Sequence, residues 1–326
     1  MCLAFLQTSS TLPSVGSPLI WACFLAFVLA MLALDLGLFH RKAHVVGFRE
    51  ALGWSVVWVV LALTFNAFVA WRFGPERGLE FLTGYLIEKS LSVDNIFVFV
   101  VIFGALGIPP LYQHRVLFWG ILSALVLRAI LIFAGAALLA RFHWLIYVLG
   151  ALLVLTGIKL FLQRDKHQDL TGGWAMRWAR RMIPSTPKLD GERFFTRENG
   201  RRLAKPLFMA LILVEITDVI FAVDSIPAIF AITSDPFLVF TSNIFAILGL
   251  RSLYFLLGDL VERFRFLKVG LSAILVFVGT KMAMVDVYKV PPAVSLVVVI
   301  LILAVSIWFS HVLRPAPGPR RTEGVA

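Results

Sequence analysis

Two related stretches of the chain set carboxylates inside long apolar sequence: Glu88-Lys-Ser-Leu-Ser-Val-Asp94-Asn95-Ile96 and Asp218-Val-Ile-Phe-Ala-Val-Asp224-Ser225-Ile226. In each, an acid stands six residues before an aspartate that is followed by a small polar residue and isoleucine. An ionisable group at bilayer depth costs roughly 2.5 to 3.5 kcal/mol on insertion scales, so paired acidic clusters point to the handling of cations. The competing reading is internal ion pairing, because Lys89, Arg128, Lys159, Arg251 and Lys281 also fall within or near the ends of apolar segments. Against these five cations stand six acids, Asp35, Glu88, Asp94, Glu215, Asp218 and Asp224. Lys159 and Lys281 are placed to reach toward water, whereas Arg128 and Arg251 lie deeper and are natural partners for an acid.

The donor types narrow the ion. His40, His44, His114, His143, His167 and His311 fall in loops or at the ends of apolar segments, and neither Cys2 nor Cys23 accompanies the acids. Carboxylate, amide, hydroxyl and carbonyl oxygens suit hard cations such as Mn²⁺, Mg²⁺ or Ca²⁺ better than copper or zinc. His40 and His44, four residues apart, read as a solvated juxtamembrane segment rather than a metal pair, with no third ligand nearby. No Cys-x-x-Cys pair is present, which disfavours a thiol oxidoreductase. No nucleophile constellation or cofactor fingerprint argues for an enzyme.

Helical periodicity places Glu215 and Asp218 on one face, with Asp224 about 120° from Asp218. Pro227 removes the hydrogen bond to the carbonyl of Val223 and predicts either a broken helix, which would offer that carbonyl beside Asp224, or a simple packing kink. Asn66, Thr241, Ser242 and Asn243 are further polar groups in apolar segments, suited to line a cavity or to bond between helices.

The elements that must position these groups are membrane spans. The chain is 60% hydrophobic and 15% charged over 326 residues. Apolar segments of about 20 residues recur along it. They predict an all-α polytopic membrane protein of nine spans: Pro18 to Phe39, Ala51 to Trp71, Leu79 to Phe103, Val116 to Leu139, Trp144 to Leu162, Pro206 to Ile232, Phe237 to Leu257, Leu267 to Val285 and Ala293 to Leu313. Segments 40–50, 104–115, 163–205, 258–268 and 314–326 hold 21 of the 30 Lys and Arg residues. The positive-inside rule therefore puts them in the cytoplasm, with the N-terminus outside and the C-terminus inside. The net charge of +11 reads as topology and headgroup attraction, with the lipid bilayer and not nucleic acid as partner. The N-terminus lacks a basic n-region, so no cleaved leader is expected. Trp54, Trp58, Trp71, Trp119, Trp144 and Trp308 are read as an interfacial belt.

The repeat extends past the acids. Leu-Val-Leu-Arg128 is echoed by Leu-Gly-Leu-Arg251, and Thr-Gly-Ile-Lys159 by Val-Gly-Thr-Lys281. Spans three to five (79–162) thus resemble spans six to eight (206–285). Three crossings per copy invert the second copy, a recurrent plan of secondary transporters. Under that symmetry Asp94 and Asp224 meet near the centre, with Asn95 and Ser225 beside them. The hydrophilic 163–205 segment between the copies is expected to be a cytoplasmic loop with a short surface helix around Trp174, Met176, Trp178 and Ile183, and is a candidate contact surface for a membrane-protein partner.

Gly-Tyr-Leu-Ile-Glu88-Lys-Ser-Leu-Ser-Val-Asp94-Asn95, Val-Glu215-Ile-Thr-Asp218-Val-Ile-Phe-Ala-Val-Asp224-Ser-Ile-Pro227-Ala-Ile-Phe and Thr-Ser-Asn243-x-Phe-Ala-Ile-Leu-Gly-Leu-Arg251 resemble the TerC family of bacterial membrane proteins, nearest its Alx-like branch. The resemblance covers nearly all of 1–326 as one transmembrane domain. It implies a multi-pass protein of the bacterial cytoplasmic membrane, linked to tellurium resistance, alkaline pH and manganese export. It implies no permanently bound cofactor, and a metal-contacting set of Glu88, Asp94, Asn95, Glu215, Asp218 and Asp224. Two alternatives stand beside transport: an accessory role in metal loading or membrane-protein assembly, and a tellurium or pH-stress resistance protein without intrinsic transport; the resemblance also implies an older label, redox modulator, that no thiol pair here supports.

Overall fold

The computed structural model describes residues 14–39, 47–162, 181, 183–186, 191, 193–198, 201–257, 266–288 and 290–312. Ten α-helices and one β-hairpin make up the described chain. They are α1 (Pro18–Phe39), α2 (Phe48–Phe73), α3 (Pro75–Ala105), α4 (Pro110–Arg141), α5 (Leu145–Leu162), strands β1 (Phe195–Glu198) and β2 (Arg201–Ala204), α6 (Pro206–Phe230), α7 (Pro236–Leu248), α8 (Leu250–Leu257), α9 (Leu267–Ala283) and α10 (Pro292–Val312). Helices α3, α4, α6 and α7 open on proline, whose missing N–H costs nothing in the first turn.

Among the described residues six segments are long and apolar enough to cross a membrane: α2, α4, α5, α6, the α7–α8 unit and α10. The expectation of nine spans is met by these criteria only in those six. Helix α3 falls outside because every 18-residue window of it carries at least three charged residues, Glu88 and Lys89 in all of them. The apolar parts of α1 and α9 are shorter. Outward faces carry bare aliphatics, such as Leu155 and Leu162 on α5 and Val297 and Leu301 on α10, as expected where lipid is the solvent.

Helix α7 is the axis of the fold, buried from Phe237 to Leu248. Phe245 on α7 meets Phe24 of α1, Phe65 of α2 and Phe81 of α3 at centroid distances of 5.8, 5.0 and 6.1 Å. Asp235 caps its start, accepting from Phe237 N at 2.9 Å and also from Val15 N at 2.7 Å. Thr241 and Ser242, considered as cavity-lining groups, bond instead to backbone carbonyls of their own helix, Phe237 O at 2.8 Å and Val239 O at 3.2 Å. The span expected over Phe237 to Leu257 is divided at Gly249. Beside this division the Lys89 ammonium donates to a last-turn carbonyl of α7, Ala246 O, at 3.3 Å. Trp58, placed in the interfacial belt by sequence, is buried with only 3% exposure and packs against this break.

Helices α5 and α9 form the most extensive helix pair. A Cβ on Gly150 would lie 2.9 Å from Gly279 O, and one on Gly157 would lie 2.8 Å from Ser272 O, so only glycine permits this approach.

The 163–205 segment is more than a loop. Within its described part, β1 and β2 pair antiparallel, Phe195 opposite Ala204 through Glu198 opposite Arg201. The surface helix expected around Trp174 to Ile183 lies almost wholly outside the described residues.

Candidate functional site

The apolar helices converge on one deeply buried guanidinium. Arg128 of α4, 1% exposed, donates through Nη1 to Glu88 Oε1 of α3 and to Asn243 Oδ1 of α7 at 3.1 Å. It also forks onto Asp218 of α6, with Nε 3.3 Å from Oδ2 and Nη2 2.8 Å from Oδ1. Four helices are thereby joined through one side chain. Two carboxylates against one cation leave the cluster a formal charge of −1. A buried ion pair recovers its desolvation cost only when the remaining donors and acceptors are also met, and here they are met incompletely. Glu88 Oε2 and Asn243 Nδ2 are buried without a hydrogen-bond partner among the described residues.

Beside the cluster lies a cavity of about 70 Å³, lined on its polar side by Glu88, Asn95, Arg128, Thr156, Asp224 and Ser225. Leu91, Leu160, Phe221, Leu271 and Leu275 complete its wall. Asp224 Oδ1 accepts from Thr156 Oγ1 of α5 at 3.1 Å. Asn95 Oδ1 and Ser225 Oγ are buried without a hydrogen-bond partner among the described residues. Buried polar atoms left unmatched in this way call for water or an ion. The volume exceeds the roughly 10 to 15 Å³ that one water requires. The polar lining is therefore all oxygen and amide apart from Arg128, and carries a formal charge of −1 from Glu88, Asp224 and Arg128.

The structure divides the residues singled out from sequence. Glu88, Asn95, Asp224 and Ser225 share the cavity, drawn from both related stretches. Asp218 and Asn243 stand behind it on Arg128. Glu215 is set apart: its Oε1 accepts from Ser123 Oγ of α4 at 2.5 Å, and its Oε2 has no partner among the described residues. Of the five candidate ligands whose side chains are described, Glu88 and Asp218 hold Arg128, Glu215 faces α4, and Asn95 and Asp224 line the cavity. Among the described residues no three His, Cys, Asp or Glu side chains gather in a preformed metal cluster. Asp94 lies on α3 and Asp35 on α1, with their side chains outside what the structure describes. Arg251 on α8 is buried and does not line the cavity. Helix α6 runs unbroken through Pro227, and Val223, 49% exposed, does not line the cavity either. The kink-or-break question thus resolves against an unwound segment, since Ala228 to Phe230 continue the helix.

Thr156 and Ser123 were not picked out from sequence, although each supplies the hydroxyl that meets an acid. Their signal is weak: isolated hydroxyls on apolar helices more often bond to their own backbone, as Ser123 also does to Trp119 O at 2.7 Å.

An apolar helical bundle with a carboxylate-lined interior cavity defines a multi-pass integral membrane protein. The family model described as "Integral membrane protein TerC family" matches residues 73–317, and the chain belongs to that family. It is 72% identical over 297 residues to an uncharacterized membrane protein of Myxococcus xanthus, covering 91% of this chain and 93% of that one. A Salmonella typhi protein named as a candidate membrane-bound redox modulator, Alx, is 49% identical over 311 residues, covering 91% and 97% of the two chains. Its namesake in Shigella flexneri is 50% identical over 302 residues, covering 90% and 94%. No solved structure matches the chain.

Proposed function

We propose that the protein exports a hard divalent cation, manganese foremost, across the bacterial cytoplasmic membrane in exchange for protons. The observation that carries this reading is the interior cavity, where Glu88, Asn95, Asp224 and Ser225 present oxygens from both acidic stretches, three of them buried and unmatched among the described residues. Asp224 is the charged ligand best placed to bind, since Thr156 occupies only one of its oxygens. Asp94, its counterpart in the repeat, is the second central ligand in this reading, with Asn95 and Ser225 completing the shell. Glu88 and Asp218 hold Arg128, which keeps the cavity's charge low enough for the ion to leave again. Glu215 is the proton carrier, because it stands apart from the cavity with one oxygen unmatched. Carboxylates that release a metal take up protons in its place, which couples the two fluxes.

The crossing of α5 and α9 supports the inverted repeat. Lys159 and Lys281 are 122 residues apart, and the same shift carries Gly150 to Ser272 and Gly157 to Gly279. The close approach of Gly150 to Gly279 is therefore the counterpart of that between Ser272 and Gly157. A twofold exchange of this kind suits two units that rock about a shared site. Counting α1, α3 and α9 with the six long apolar segments gives the nine-span arrangement, N-terminus outside and C-terminus in the cytoplasm.

The test is flux in liposomes holding a metal-sensitive dye, with Mn²⁺, Mg²⁺, Ca²⁺ and Zn²⁺ compared across imposed pH gradients. Selective Mn²⁺ flux that responds to the gradient is the expected result. Absence of flux for every ion would favour a second reading, an accessory protein that docks on a metal-loading or membrane-assembly partner through 163–205.

A further inference from the structure

The hairpin before α6 brings like charges together, and no carboxylate stands among the described residues that line the pocket beside it. Arg197 of β1 stands directly opposite Arg202 of β2. Opposed residues on an antiparallel pair hold their Cβ atoms about 4.5 to 5.5 Å apart on one face, where like charges are destabilising. Arg193 joins them around a pocket of about 730 Å³, whose other walls are Ile183, Pro184, Phe195, Thr196 and Ala204. This described lining holds three guanidiniums and a hydroxyl, and no carboxylate.

The pocket is firmly built. Ala204 N donates to Pro184 O and Thr186 N to Ala204 O, both at 2.9 Å, which fixes 183–186 alongside β2. Phe195 packs tilted against Phe208 of α6 with ring centroids 4.5 Å apart, and Arg115 of α4 lies 5.1 Å over the ring of Phe194. The hairpin runs into α6 through Lys205, and α6 is long and apolar enough to span a membrane. Its arginines therefore lie next to the start of an apolar helix, where an anionic headgroup is a natural ligand. Guanidinium forks match phosphate oxygens two at a time, whereas an ammonium offers only a point charge.

We propose that Arg193, Arg197 and Arg202 form a binding site for a phosphate-bearing anion, supplied by the headgroup of an anionic lipid or by a soluble phosphate. Occupancy cancels the cross-strand repulsion and ties the hairpin, and with it the start of α6, to the membrane surface. The site does not depend on the cation reading of the interior cavity.

The experiment uses the full chain in detergent and records thermal unfolding and native mass spectra at fixed ionic strength. The additives are short-chain phosphatidylglycerol, phosphatidylcholine and inorganic phosphate, and the proteins are wild type, Arg197→Gln/Arg202→Gln and Arg193→Gln. Phosphatidylglycerol should raise the unfolding midpoint of wild type and remain bound in the spectrum, while phosphatidylcholine should not. Affinity should fall about tenfold or more in the double variant, the scale of a lost charge-assisted bond. The double variant should also unfold no lower than wild type without anion, because its like-charge pair is gone. If that variant does not fold, Arg193→Gln must show the weakened response instead. Stabilisation by inorganic phosphate equal to that by phosphatidylglycerol would support the site with a soluble ligand. Anion binding undiminished in the variants, or no binding to wild type, would overturn it.

Discussion

Arg128 holds Asp218 through two nitrogens, Nε at 3.3 Å and Nη2 at 2.8 Å, so that α4 and α6 are locked by a planar fork at the centre of the bundle. The same guanidinium still reaches Glu88 and Asn243. One side chain thus decides whether two buried carboxylates are matched or orphaned.

Replacing Arg128 by Met should be strongly destabilising. Removing one partner of a buried pair costs about 3 to 5 kcal/mol because a charge is left uncompensated, and here two are left. Arg128→Lys should fail nearly as badly, since an ammonium has no fork for Asp218. Thermal unfolding of the purified variants checks both. A midpoint for either within a degree or two of wild type would contradict the assigned role.

Thr156→Val keeps the shape of the side chain and removes the donor to Asp224. The bond is a single one beside a cavity, so stability should change by about 1 kcal/mol. Flux should change more than stability, because the charge and orientation of Asp224 are what the substrate meets. Parallel measurement of unfolding and ion flux separates the two effects.

Gly157→Val should disrupt the α5–α9 crossing. Its Cβ alone would stand 2.8 Å from Ser272 O and from Val276 Cγ2, and overpacking of this kind costs typically 1 to 3 kcal/mol, more where backbone must move. Gly53→Ala on α2 is the control. Nothing lies within 4 Å of a Cβ there, and replacing a mid-helix glycine gains about 0.5 to 1 kcal/mol. Unfolding midpoints should move in opposite directions.

Much of this arrangement is legible in the sequence, and the limits are physical. The acids of the two stretches and the depth of Arg128 follow from residue type and apolar length alone. Which acids Arg128 takes does not, since periodicity orders residues around one helix but is silent on how neighbouring helices are rotated. Glu215 and Asp218 illustrate this. They share a face of α6, yet one meets Ser123 and the other Arg128. The sequence leaves Pro227 open between break and kink, because the outcome depends on packing around α6. The hairpin was within reach: Asn199-Gly200 between Phe195-Thr-Arg-Glu and Arg-Arg-Leu-Ala is a strong turn signal, obscured by the basic composition of the segment.

The most direct test of the cation reading is Mn²⁺ flux through Asp94→Asn/Asp224→Asn beside wild type in the same vesicles, with unfolding midpoints recorded for both. The account predicts that Mn²⁺ flux is lost while the variant remains folded. Undiminished flux in the folded variant would contradict it.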